Sequence, residues 1–103
     1  MSTKKSKTIK ELEKIRKGPL EFKNLLLSLR TTEEMSQVDL AKKVKTAKSR
    51  ICDFEKGRRL PSLELAAKLA RALGHSEALF VSKVIEEQIK VAKLKLKVKI
   101  EAA

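Results

Sequence analysis

The stretch "MSQVDLAKKVKTAKSRICDFEKG", residues 35–57, holds two helical patterns with almost no chain between them. The first covers Gln37–Val44 and the second Ala47–Lys56, so the connection is only two or three residues long. A connection that short forces two short helices to cross steeply. Ser36 is the predicted N-cap, and Asp39 completes a shortened capping box. Val38 and Ala41 are expected to face inward, with Leu40 and Val44 as further inward candidates. Small Ala41 suits the crossing point, and Ile51 and Phe54 keep an apolar face at helical spacing. Gly57 suits the left-handed residue that closes the second helix. Lys48, Ser49 and Asp53 are left outward. In this geometry one helix is braced against a surface while the second lies in a groove.

The rest of the chain punctuates itself clearly. "KTIKELEKIRKG" predicts a weak N-terminal helix with Ile9, Leu12 and Ile15 on one face, ended by Gly18–Pro19. "PLEFKNLLLSLR" predicts a helix opened by Pro19, with Phe22, Leu25, Leu26 and Leu29 as its stripe. Leu20 and Leu27 lie off that stripe, where they cover a second contact. "GRRLP" reads as a loop. Ser62 caps "LELAAKLARAL", Gly74 ends it, and Ser76 caps "EALFVSKVIEEQIKVA". "KLKLKVKI" then switches to strict alternation, which is the period of a strand. The expected fold is all-α: five packed helices, an N-terminal helix and a C-terminal strand. The expected organisation is a basic helical extension at 1–18, a DNA-binding domain at 19–82 with its helix pair at 36–56, and a helix end and dimerisation strand at 83–103.

Charge narrows the partner. The 103 residues carry a formal net charge of +12, more than solubility requires, so a polyanion is expected. The surplus is concentrated. Seven cations stand against two glutamates in 1–18, eight against three acids in 36–59, and six against three in 83–103. No apolar run approaches the roughly 18 residues of a membrane span, and the start carries no signal-peptide pattern. A single cysteine fits a reducing compartment, so a cytoplasmic protein is expected.

"MSQVDLAKKVKTAKSRICDFEKGRRLPSLELAAKLARALGHS" resembles the helix-turn-helix domain of the phage repressor/Cro (Xre-type) family, over about Leu20 to Ser82. The matches are Ser36–Gln37, Leu40–Ala41, Ile51, Glu55, Gly57, Pro61–Ser62 and "LARALG". The resemblance implies a five-helix fold, operator DNA bound as a homodimer, and transcriptional repression. It implies that Lys48, Ser49 and Asp53, with Cys52 nearby, read base edges in the major groove. Lysine donates to guanine, serine serves either role and aspartate accepts from cytosine, so the chemistry agrees in part. It further implies that Gln37, Arg58 and Arg59 reach the DNA backbone, where Lys43, Lys45 and Thr46 are also expected. It pairs Arg30 with Glu55 as an ion pair between the first and third helices. Two positions depart from the pattern. Lys45 stands where the turn usually has glycine, and Ala47 stands where a serine or threonine usually caps. If Thr46 caps instead, the helix starts a residue earlier, the readout register shifts by one, and Arg50 faces either a phosphate or a base. The alternative function implied by the resemblance is an antitoxin that binds a cognate toxin and its own operator.

The remaining residues point away from chemistry. One histidine and one cysteine make no metal-ligand cluster, so no metal and no cofactor are expected. Glu33–Glu34 and Glu86–Glu87 read as solvated helix faces rather than acid/base pairs. Without Tyr or Trp there is no stacking platform for single strands. No enzyme is expected. The tail places Leu94, Leu96, Val98 and Ile100 on one strand face and four lysines on the other. A lone strand cannot satisfy its backbone, so the expectation is antiparallel pairing with the same tail of a second subunit. The alternatives are a disordered tail or a strand added to a toxin's sheet.

Overall fold

The computed structural model describes residues 20–102, with side chains to residue 100. The expected N-terminal helix at 1–18, and Pro19 itself, lie outside the described residues. Five helices follow one another: α1 Phe22–Thr32, α2 Gln37–Lys43, α3 Lys48–Lys56, α4 Leu63–Ala72 and α5 Glu77–Ala102. Leu20 and Glu21 are extended, so α1 begins at Phe22 with Glu21 as an N-cap that makes no side-chain bond. Helix α1 therefore does not start at Pro19.

The core forms where the helical stripes converge. Phe22, Leu25, Leu26 and Leu29 of α1 are fully buried against Leu40, Ile51, Ala66, Leu69, Ala70, Phe80 and Val84. The rings of Phe22 and Phe80 meet edge to face at 5.8 Å and fasten α1 to α5. Leu20 is buried ahead of α1, while Leu27 stays exposed and covers no second contact within the described body. Val38 is also exposed, against expectation. In a helix of 3.6 residues per turn it lies on the far side from Leu40, and Leu40, Ala41 and Val44 already fill the inward face.

The caps at Ser36, Ser62 and Ser76 form as expected, each hydroxyl accepting from the backbone N–H three residues on, and Ser36 forms the full box with Asp39. The closures are alike too. Helices α1 to α4 all end with a left-handed residue and paired backbone bonds back into the last turn. At α2 these are Lys45 N–H to Lys42 O and Thr46 N–H to Ala41 O. Gly57 and Gly74 fill that position after α3 and α4, but Glu34 (φ 54°) and Lys45 (φ 57°) fill it after α1 and α2. At Gly57 an added Cβ meets Lys23 Cδ at 2.9 Å, so sterics as well as φ require glycine there.

The C-terminal strand does not form. Helix α5 continues without a break through Ala102, and among the described residues there is no strand. Adding a residue to an existing helix gains one hydrogen bond without a new nucleation penalty. Leucine and lysine, which dominate the tail, are good helix formers. A strand needs an opposing edge, and the described chain supplies none. Leu94, Leu96, Val98 and Ile100 are accordingly exposed on different sides of α5 rather than gathered on one face, and the pairing of tail strands has no basis.

Candidate nucleic-acid interface

Helix α3 owes its position to its buried side. Ile51 and Phe54 are anchored in the core, so the opposite side of the helix must face solvent. Its first three residues, Lys48, Ser49 and Arg50, are all exposed. The helix begins at Lys48 with Ala47 as an N-cap that makes no side-chain bond. Thr46 is therefore not the cap, and the helix does not start a residue early. Its own N–H is committed to the closure of α2.

The angle of α3 is fixed at its other end by a buried polar cluster. Arg30 of α1 binds the Glu55 carboxylate through two nitrogens, with Nη2 to Oε1 at 3.1 Å, and its Nη1 donates to Met35 O at 2.8 Å. Gln37 Nε2, at the start of α2, donates to the same Glu55 oxygen at 2.9 Å. One carboxylate, whose side chain is 4% exposed, thus ties α1, α2 and α3 together. A two-nitrogen guanidinium–carboxylate pair fixes direction as well as distance. The cluster also tethers the Gln37 amide, a side chain expected at the DNA backbone.

Farther along α3, Cys52 and Asp53 are half-buried. Asp53 Oδ1 lies 3.4 Å from Arg58 Nη1, so that carboxylate has a cation in attendance. Arg58 and Arg59 project from the loop after α3 and are exposed. Lys43 and Lys45 are exposed at the end of α2, and Thr46 is half-buried.

Two cations join this surface that the sequence reading did not single out. Lys68 and Arg71 of α4 line an open cleft of about 450 Å³ together with Lys43, Val44, Lys45 and Ala72. Arg71 also reaches Glu77 at 2.9 Å. The signal was available in the spacing, since Lys68 and Arg71 are three apart and share one face of α4, but only the packing of α4 against α2 shows what that face meets. Across the described residues no helix is long and apolar enough to cross a membrane.

Residues 26–80 match the family model described as "Helix-turn-helix". Among curated proteins, the chain is 44% identical over 46 residues to Multiprotein-bridging factor 1 of Candida glabrata, covering 45% of this chain and 30% of that protein. It is 42% identical over 53 residues to an uncharacterized HTH-type transcriptional regulator of Methanocaldococcus jannaschii, covering 52% of this chain and 80% of that one. The chain therefore spans less than a third of the first relative and most of the second. Among solved structures, the clp gene regulator ClgR from Corynebacterium glutamicum superimposes with a TM-score of 0.56 at 25% identity, over 78% of this chain and 86% of that one.

Proposed function

Because the chain belongs to the helix-turn-helix family of Xre type, we propose that it is a sequence-specific double-stranded-DNA-binding transcriptional regulator, acting as a repressor on a palindromic operator as a homodimer. The observation that carries this reading is the exposed start of α3. Lys48, Ser49 and Arg50 stand clear of the body on a helix that is rigidly held by Ile51, Phe54 and the Arg30–Glu55–Gln37 cluster. A helix so held can enter the major groove with its first turn against base edges. Lys48 and Ser49 read the bases, Arg50 reaches a base or the adjoining phosphate, and Cys52 and Asp53 lie deeper along the same face. Lys43, Lys45, Thr46, Arg58 and Arg59 serve the phosphates, which fix register without reading sequence. Gln37 takes part through its position at the start of α2.

The test has two readouts. Selection of bound duplexes from random DNA should return a short, two-fold symmetric consensus. Binding to that consensus should then weaken with salt at a log–log slope near −7, the value expected when a dimer neutralises about eight phosphates. No enriched sequence, or a slope shallower than about −3, rejects the reading. A second protein that co-purifies and competes with DNA would favour the antitoxin alternative.

A further inference from the structure

Helix α5 carries apolar side chains on two sides, and only one side meets the body of the protein. Phe80 and Val84 are buried beneath it, and Val91 continues that side into a cleft shared with Glu21, Lys23, Phe54, Gly57, Leu60 and Glu87. On the other side Ile85, Ile89, Ala92, Leu96 and Ile100 succeed one another at spacings of four, three, four and four residues. That is the spacing of a seam between two helices. All five are exposed, Ile89 by 49% and Leu96 by 59%. From Gln88 to Ile100 every side chain is exposed. An unsupported helix of about 12–15 residues is marginal in water, and this arm contains β-branched residues that lower its propensity further. The arm needs a partner.

We propose that this seam is a dimer interface, occupied by α5 of a second copy of the chain lying antiparallel. The proposal deepens the homodimer reading above and rests on it. Charge selects both the partner and its direction. Residues 77–89 hold three glutamates and one lysine, while residues 90–102 hold five lysines and one glutamate. A parallel pair would set lysine-rich half against lysine-rich half, which is repulsive. The antiparallel pair sets each lysine-rich half beside the partner's acidic one. In the register that faces Ile85 with the partner's Leu96, Ile89 meets the partner's Ala92. Glu86 and Lys93 flank the seam on the same edge, so each Glu86 comes beside the partner's Lys93, twice by symmetry. Small Ala92 at the centre lets the two axes approach closely. The opposite flank is unsuited, because a helix laid along Val91 would run into Glu21 and Lys23 at the rim of the cleft.

Mass in solution decides the matter. The full chain should sediment at twice its 11.6 kDa mass. Ile89→Glu with Leu96→Glu should halve that mass while the helical signal of the body persists, since neither residue is in the core. Leu94→Glu, on the cleft side, should leave the dimer intact. Glu86→Lys and Lys93→Glu should each weaken dimerisation about tenfold or more, and the two together should restore it. A wild-type monomer, a dimer indifferent to the Ile89/Leu96 pair, or a dimer lost in Leu94→Glu overturns the proposal. The monomeric variant also separates this inference from the DNA reading. It should still bind a half-site with the same base preferences, whereas loss of all sequence preference by the wild-type dimer would indict α3 instead.

Discussion

Arg30 and Glu55, twenty-five positions apart in sequence, meet as a two-nitrogen ion pair beneath the start of α2. The pair is nearly withdrawn from water, the Arg30 side chain being 13% exposed and that of Glu55 4%. It also accepts Gln37, so its geometry decides how α1, α2 and α3 sit relative to one another. A pair of this kind contributes more to orientation than to net stability, because taking both charges out of water offsets much of their attraction.

The first prediction follows from that asymmetry. Glu55→Ala leaves the guanidinium in place with no counter-charge and should destabilise the domain by about 3–5 kcal/mol. Replacing both, Arg30→Met with Glu55→Leu, should be substantially milder. Chemical denaturation of the four species measures the coupling, and strict additivity would show that the pair carries no interaction energy.

The pair was legible in the sequence only through resemblance, since no local spacing joins residues so far apart. What local chemistry dictates was readable directly: the serine caps, the glycine after α3, and the stripe from Phe22 to Leu29. The tail misled because alternation of Leu and Lys is compatible with a strand in isolation. Its state was decided by α5, already nucleated upstream, and by the lack of an opposing edge. Val38 misled for a related reason, as a helix of only seven residues has few positions to define its inward face. Lys68 and Arg71 escaped notice because their role depends on which helix α4 packs against, which no stretch of sequence states.

Lys45 supplies the second prediction. It occupies the left-handed position that closes α2, as Glu34 does after α1, and a side chain there costs about 1 kcal/mol relative to glycine. Lys45→Gly should therefore raise the melting temperature by a few degrees, and Glu34→Gly should do likewise. On DNA the two should part. Lys45→Gly removes a cation beside the entrance to α3 and should reduce the salt slope by about 1, while Glu34→Gly should leave the slope unchanged.

Lys68 supplies the third. If the cleft between α2 and α4 follows the DNA backbone, Lys68→Ala should weaken operator and random DNA equally and lower the salt slope by about 0.9. An unchanged slope would place the cleft away from the duplex. Lys43→Ala, on the opposite wall, is the companion measurement, and the two effects should add.

The last prediction separates reading from holding on α3 itself. Lys48 is exposed on the first turn, whereas Asp53 is half-buried with Arg58 Nη1 at 3.4 Å. Lys48→Ala should lose about 1–3 kcal/mol on operator and relax preference at one base pair per half-site. Asp53→Asn keeps the shape but removes a negative charge and loosens Arg58. An exposed pair of this kind is worth at most about 1 kcal/mol, so the fold should not suffer. If Asp53 accepts from a cytosine, the substitution should change which base is preferred at that position. If its carboxylate only steadies Arg58, operator and random DNA should both be bound more tightly and the consensus should stay as it was. The Arg58 contact favours the second outcome, and repeating the random-duplex selection with the Asp53→Asn protein tells the two apart.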